Sequence, residues 1–183
     1  MIRRIVTQND DEGKSRIASD AITSNIEIPL PQFDPEFKFF NLWTTDTMPV
    51  KFNDIDPIKD KHVSTSPSPN GSMFRFVNYP PEHILLNQIA KMTKEELIEF
   101  EDTVGVKLDF NGKHPLMHMT KSIDFCIVLS GEIYLVLDNE ETCLKQFDTV
   151  IQRGTSHAWS NRFTTNCLMA YVLLDAENNY NHI

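Results

Sequence analysis

The chain has 183 residues, of which 40% are hydrophobic and 23% are charged, and its formal net charge is −9. This length and composition are typical of one globular domain, so we expect a single domain over residues 1–183. The acidic balance argues against nucleic acid and against anionic membranes as partners. No apolar run approaches the roughly 20 residues that a helix needs to span a bilayer.

The cysteines and the N-terminus predict the cellular compartment. Cys126, Cys143 and Cys167 are odd in number and widely spaced, and they form no CxxC pair. Such a set is a poor disulfide framework and is typical of reduced thiols. Arg3 and Arg4 are not followed by a long apolar segment, so no secretory signal is predicted. We expect a cytoplasmic protein.

The first third of the chain alternates apolar and polar residues, which favours β-strands. Strands are predicted at 2–7 and 14–19 around the polar turn 9–13, and a third at 37–43. These N-terminal strands fall within residues 1–45. Residues 46–72 are rich in Pro, Asp, Asn and Ser and predict a long surface loop.

A helical insertion is predicted at residues 82–105, after a strand at 73–77. Thr93 and Glu96 have the spacing of a capping box, and Gly105 can end the helix. A second, shorter helix is predicted at 82–90. We expect this insertion to cover one end of the β-structure.

From residue 116 onward the chain is nearly all strand. Short apolar segments are separated by polar turns, at 123–129, 132–137, 142–144, 149–152, 157–161 and 167–174. This spacing predicts a sandwich or barrel of the jelly-roll type.

Strand alternation predicts which side chains share a face. If one regular strand runs from residue 118 onward, one face carries His118, Thr120, Ser122, Asp124 and Cys126. The opposite face is apolar and is predicted to pack in a dry core; it carries Ile123, Phe125, Ile127 and Leu129. The polar face must then line a cavity, because unpaired buried polar groups are costly. By the same rule His157, Trp159 and Asn161 share a face.

Two imidazoles and one carboxylate that converge on a cavity match a 2-His-1-carboxylate metal set. His118, Asp124 and His157 are therefore the predicted ligands of a divalent metal, with Fe, Mn, Ni and Zn all open. Thr120 is not a usual donor, and the Asp124 side chain is short. Asp124 can instead orient an imidazole or act as a general base, and a metal-free cavity remains an alternative.

The residues around His118 resemble the first motif of the cupin superfamily, G-x5-H-x-H-x3,4-E-x6-G. The frame here is Gly112, His118, Thr120, Asp124 and Gly131, so Thr replaces the second His and Asp replaces the Glu.

The second cupin motif, G-x5-P-x-G-x2-H-x3-N, is matched by Gly154, His157 and Asn161. Gln152 stands at the Pro position. Phe147 stands at the leading Gly, with one residue fewer before Gln152.

Within residues 112–175 the segments 117–125 and 152–162 also resemble a little-characterised bacterial and fungal cupin-2 subgroup, with "HRT-x-[ST]-IDY" and "QRGT-x-HAW-x-N" motifs. This resemblance implies an all-β cupin jelly-roll barrel with N-terminal strands and a short helical insertion. Cupins often dimerise through edge strands, so a homodimer that uses the early strands is expected.

The expected function is that of a small-molecule enzyme with a divalent metal, acting on a carbonyl or carboxylate compound. His118, Asp124 and His157 are the predicted catalytic and metal-binding residues. Isomerisation, dehydration, decarboxylation and oxygenation are all open. The rest of the predicted pocket consists of Thr120, Ser122, Cys126, Trp159, Asn161 and Arg75.

Two alternatives remain. One is a metal-free enzyme in which Asp124 or a histidine transfers protons. The other is a small-ligand-binding or sensing cupin without catalysis. Arg75 can meet an anionic substrate, although an ion pair is the commoner role of such a residue.

Overall fold

The structure is a computed structural model, and it describes residues 1–29, 34–52, 55–59 and 63–177, apart from the side chain of Thr103. The first five strands are β1 Arg3–Asn9, β2 Ser15–Ile22, β3 Ile26–Glu27, β4 Lys38–Thr45 and β5 Ser72–Tyr79. The helices are α1 His83–Ile89 and α2 Lys94–Val104. The remaining strands are β6 Leu108–Asp109, β7 Met117–His118, β8 Ser122–Ser130, β9 Ile133–Leu137, β10 Glu141–Leu144, β11 Thr149–Arg153, β12 His157–Ser160 and β13 Cys167–Asp175.

Two antiparallel sheets carry most of the strands. One sheet has the order β11-β8-β13-β5-β4-β3 and the other has the order β10-β9-β12-β7-β6. Strands β1 and β2 form a hairpin of their own. Strands dominate and the two helices are short, so the predicted all-β jelly-roll architecture is confirmed.

The core is formed by the inward faces of the strands together with Ile58 and Val63 from the segment between β4 and β5. Ile58, Met73, Val128, Ile133 and Met169 are almost fully buried in it. The large gap in sequence between these residues shows that the core depends on strand pairing, not on local contacts.

The outer face of β8 is exposed, which corrects one expectation. Ile123, Phe125 and Ile127 are 37%, 41% and 38% exposed, and Leu129 is only partly buried. They were predicted to pack in a dry core. That prediction is wrong because the second sheet covers only the other side of β8, and no layer of the described residues covers this one.

The helical segment follows its sequence signals. Thr93 Oγ1 accepts a hydrogen bond from Glu96 N, and Glu96 Oε2 accepts one from Thr93 N, which confirms the capping box. Gly105 ends α2 with a left-handed φ of 72°. Among the described residues no helix is long and apolar enough to cross a membrane.

Between β4 and β5 the described residues contain no helix or strand. Residues 53–54 and 60–62 of the predicted loop lie outside the described residues, as do residues 178–183 of the polar tail.

Candidate active-site cavity

A mainly apolar cavity of about 140 Å³ lies between the sheets and under the helices. One end is apolar, and its walls include Leu85 of α1, Phe100 and Val104 of α2, and Leu108 and Leu116. The other end carries most of the polar side chains, namely Arg75, His118, Thr120, Asp124, His157 and Tyr171. The cavity lining therefore combines apolar and polar side chains.

His118 and His157 face each other across neighbouring strands. They are direct partners in the register of β7 and β12, and their ring centroids are 4.3 Å apart. His157 is 1% exposed and packs edge-to-face against Trp159. Strand pairing therefore holds the two imidazoles side by side.

Each imidazole is held by a backbone carbonyl two residues earlier. His118 Nδ1 lies 2.9 Å from Leu116 O, and His157 Nδ1 lies 2.9 Å from Thr155 O. A carbonyl oxygen only accepts, so each Nδ1 carries the proton and each Nε2 keeps its lone pair. Burial lowers the pKa of both rings, and with His118 alongside, the pKa of His157 falls to about 3. Both imidazoles are neutral near pH 7.

The turn before His157 fixes the carbonyl that holds its ring. Gln152 Nε2 donates to both Thr155 O and Thr155 Oγ1. Gln152 stands where the family motif has Pro, so a side-chain hydrogen bond closes the turn in place of a rigid ring. Gly154 has a φ of 64°, and a Cβ there would lie 2.9 Å from Thr120 O. Only glycine fits this close approach.

His118 and Asp124 lie on different sheets. Strand β7 ends at His118 and β8 begins at Ser122. The prediction that one regular strand carries both residues is wrong, because the chain crosses from one sheet to the other over 119–121. Both side chains still line the same cavity, from opposite walls.

Asp124 is a buried carboxyl group, 4% exposed. Ser122 Oγ donates to its Oδ1 at 2.5 Å. Burial raises the pKa of Asp124 to about 6, against the opposing effects of the Ser122 hydroxyl and the Arg75 charge. A carboxyl with this pKa can both take and return a proton near neutral pH.

Arg75 is a buried guanidinium, also 4% exposed. Its Nη2 donates to Ser64 O at 2.6 Å, and its Cζ lies 5.2 Å from the centre of the Phe39 ring. The Nε group is buried and has no hydrogen-bond partner among the described residues. Burial lowers the pKa of Arg75 to about 10, which leaves it charged at neutral pH.

Three residues predicted for the pocket do not line it. Cys126 packs in the core, where burial raises the pKa of its thiol. Asn161 donates from Nδ2 to Tyr79 O and Thr165 O, so it holds a loop. Ser122 lies behind Asp124 and reaches the cavity only through that hydrogen bond. Ser122 and Cys126 do share the buried face of β8 with Asp124, as predicted, but the cavity borders only part of that face.

The other three predicted pocket residues do line the cavity, and Arg75, described above, is one of them. Thr120 lies in the crossing between the sheets, and no group in the described part of the chain bonds its buried Oγ1. Trp159 forms a wall and packs edge-to-face against Tyr171.

Several cavity residues were missed by sequence analysis. Tyr79 and Tyr171 line the cavity and their hydroxyl oxygens are 2.9 Å apart. Burial raises the pKa of both phenols. Phe37 and Phe39 line it from the N-terminal side. The sequence offered one signal for these residues, which is a Tyr at an inward-facing position of a strand that is otherwise apolar.

The predicted three-residue metal set is not assembled. Across the described residues, no three His, Cys, Asp or Glu side chains are grouped so as to hold a metal ion. The two Nε2 lone pairs of His118 and His157 supply two ligands. Zinc, for comparison, usually takes three or four protein ligands. The pair thus fits a two-imidazole site, with the other ligands drawn from water or substrate.

The chain resembles proteins of fungal biosynthetic clusters. It is 31% identical over 181 residues to Phomopsin biosynthesis cluster protein C′ of Diaporthe leptostromiformis, an alignment that covers 95% of this chain and 78% of that protein. It is 33% identical over 104 residues to the cupin-domain-containing oxidoreductase virC of Hypocrea virens, over 55% of this chain and 46% of that protein. No family model matches the chain.

Similarity to solved structures is partial. A cupin 2 conserved barrel domain protein from Salinispora arenicola is 14% identical, with a TM-score of 0.42 over 79% of this chain and 80% of that one. The assignment therefore depends on the sequence relatives. The jelly-roll sheets and the histidine-lined cavity define a barrel protein with an internal cavity. The chain belongs to the cupin family of conserved-barrel (cupin-2) proteins, in the group that includes Phomopsin biosynthesis cluster protein C′. Cupins generally bind a divalent metal.

Proposed function

We propose that the chain is a cupin-fold enzyme that moves a proton on a small carbonyl or carboxylate compound held in the cavity. The observation that carries this proposal is Asp124, a buried carboxyl with a pKa of about 6 that shares the cavity with the Arg75 cation. Relatives described as cupin-domain-containing oxidoreductases support an enzyme of this fold at a coarse level.

The proposed step is a proton transfer next to a carbonyl group. The Asp124 carboxylate takes a proton from that carbon, so a C–H bond breaks and an O–H bond forms on Asp124. The electron pair moves into the adjoining C–C bond, and negative charge develops on the carbonyl oxygen. Arg75 stabilises that charge, since a buried cation acts strongly in a water-poor site. Return of the proton to another carbon completes an isomerisation without net oxidation.

Strand register places these two groups on the same wall. Asp124 of β8 pairs with Leu173 of β13, and Arg75 of β5 pairs with Tyr171 of the same β13. Asp124 and Arg75 therefore flank one strand, two residues apart in register. Ser122 occupies one carboxylate oxygen of Asp124, which leaves Oδ2 for the substrate.

Exchange of substrate hydrogen for deuterium tests the proposal. Small oxo-acids and enolisable ketones are incubated with the protein in D2O, and loss of the proton signal next to the carbonyl is followed by NMR. We expect Asp124→Asn to reduce the exchange rate by a factor of about 100 or more. Asp138→Asn, an exposed turn residue, is the matched control and retains the rate.

Two results would contradict the proposal. One is exchange that survives Asp124→Asn, and the other is exchange abolished by a chelator. Tight binding of a compound without exchange on any compound of the set would favour a binding or sensing barrel.

A second candidate is a metal-dependent enzyme, favoured by the free Nε2 lone pairs of His118 and His157. Bound Fe, Mn, Ni or Zn would act as a Lewis acid on a carbonyl oxygen. Metal analysis of freshly purified protein tests it, with His118→Ala and His157→Ala as variants. A metal retained by wild type and lost from both variants supports this candidate. A wild type with no affinity for any of the four metals removes it.

A further inference from the structure

The charge of Arg75 and the apolar walls of the cavity limit which substrates can bind. This inference depends on the proposed function. We propose that the substrate is a carboxylate whose apolar body is about the size of one six-membered ring. The carboxylate pairs with Arg75, and the ring lies against the apolar end of the cavity under α1 and α2.

The buried guanidinium of Arg75 has an N–H group without a partner among the described residues. A buried cation is costly unless it is paired and hydrogen-bonded. Arg75 Nη2 donates to the neutral carbonyl of Ser64, and the Arg75 Nε–H has no hydrogen-bond partner in the described part of the chain. The charges of Glu27 and Asp124 raise the pKa of Arg75, against the larger effect of burial. An Arg fork binds a carboxylate through two parallel N–H groups, so the free Nε–H is available for such a bond.

The Thr120 hydroxyl is a second polar group available to a ligand in the cavity. Its Oγ1 is buried and has no partner among the described residues, and Thr120 lines the same cavity as Arg75. Buried polar groups normally find a partner. A carboxylate has four lone-pair sites and can satisfy both Arg75 and Thr120.

The walls under the helices are mainly apolar. Leu85, Phe100, Val104, Leu108 and Leu116 come from the helices and from the chain that follows them, and the hydroxyl of Thr65, which also lines the cavity, donates to Gly105 O. A ligand that is polar throughout would lose its hydration there without gaining hydrogen bonds. The ligand must therefore carry an apolar body away from its acid group.

The volume sets the size of that body. The cavity measures about 140 Å³. An apolar cavity of about 150 Å³ takes up one benzene molecule. The apolar body is therefore no larger than a single ring, since a fused or long-chain body exceeds this volume.

Calorimetry with benzoate and benzamide tests the inference, since the two probes have the same shape and differ in charge. We expect wild type to bind benzoate at least about ten times more tightly than benzamide, because a hydrogen bond between charged groups is stronger than a neutral one. Arg75→Gln should abolish that preference, and Arg75→Lys should restore part of it. Arg162→Gln, which changes a surface Arg paired with Glu141, is the matched control and keeps the preference.

A second pair of variants tests the apolar end of the cavity. This test can be made even if Arg75→Gln does not fold. Val104→Phe fills the cavity and should weaken benzoate and benzamide alike, by about tenfold or more. Ile98→Phe makes the same kind of change on the exposed side of α2 and should leave both affinities unchanged. We expect 2-naphthoate to bind wild type more weakly than benzoate.

The inference is overturned if benzamide binds wild type as tightly as benzoate, or if Val104→Phe leaves both affinities unchanged. Asp124→Asn separates it from the proposed function, since that variant should still bind benzoate while losing deuterium exchange. Exchange that depends on Asp124 without a preference for benzoate overturns the substrate class alone. A benzoate preference without exchange overturns the proposed function alone.

Discussion

His118 and His157 are paired across β7 and β12, and each is held through Nδ1 by the carbonyl oxygen two residues before it. The same local arrangement on two strands places two neutral imidazoles in contact, with ring centroids 4.3 Å apart. Neither ring requires a metal to stay in place, because strand pairing and backbone carbonyls already orient both. The pair is therefore preorganised for the metal-dependent function that is the second candidate.

We predict that Gly154→Ala destabilises the protein more than Gly13→Ala does. Both glycines have a left-handed φ, 64° and 78°, so both substitutions carry a backbone cost of roughly 1–2 kcal/mol. Only at Gly154 would the new Cβ also clash, at 2.9 Å from Thr120 O, whereas no heavy atom lies within 4 Å at Gly13. Urea unfolding of the two variants measures the difference. Equal losses would mean that the turn before His157 yields without cost.

We predict that Phe147→Gly is more stable than Phe147→Ala. Phe147 has a φ of 74° and is 74% exposed. Both variants lose the aromatic ring, but only glycine relieves the left-handed strain, worth about 1 kcal/mol. Thermal unfolding compares the pair. An alanine variant as stable as the glycine variant would show that the turn tolerates a Cβ freely.

We predict that Asp124→Asn stabilises the protein at pH 7 and has no such effect near pH 3.5. Burial raises the folded-state pKa of Asp124 from 3.8 to about 6, so ionisation costs free energy only in the folded state. That cost is absent below about pH 4, grows as the pH rises to 6, and is complete above it. We expect a gain of about 1–3 kcal/mol at pH 7. Denaturant unfolding at several pH values measures it, with Asp138→Asn as control, and a gain that does not vary with pH would contradict the prediction.

We predict that Ser122→Ala shifts the pH dependence of Asp124 toward alkaline values. The Ser122 hydroxyl donates to Oδ1 and lowers the pKa of the carboxyl, so its removal raises that pKa further. The pH profile of deuterium exchange, or of stability, reports the shift. Ser130→Ala, at the exposed end of the same strand, should leave the profile in place. An acid shift would show that a group other than Ser122 controls Asp124.

The homodimer inferred from sequence, through the early strands, stays a prediction, and the exposed apolar face of β8 is a second candidate contact. A second copy that covers Phe125 and Ile127 would remove apolar surface from water. Phe125→Lys should then convert a dimer to a monomer in sedimentation experiments. Ile98→Lys, which lies on α2 and is 54% exposed, should not. A dimer that persists in Phe125→Lys would place the contact elsewhere, for instance at the early strands.

Local signals predicted most of the fold. Alternation predicted the hairpin of β1 and β2 and the strands from β8 to β13, and the Thr93–Glu96 capping box predicted the start of α2. Strands β3 and β6 have two residues each, and a strand of two residues is too short to show a periodic pattern in the sequence. The prediction that His118 and Asp124 share one strand was wrong. The alternation of apolar and polar residues does not reveal that residues 119–121 cross from one sheet to the other.

The amino-acid sequence by itself determined the jelly-roll class and the identities of the chemical groups, because strand periodicity, caps and motif spacing are local properties. Only the tertiary structure decided which groups meet. It paired His118 with His157, placed Asp124 and Arg75 on the opposite wall, brought in Tyr79 and Tyr171, and turned Phe125 outward. These contacts join residues far apart in the chain and depend on sheet order and register, which no local pattern specifies.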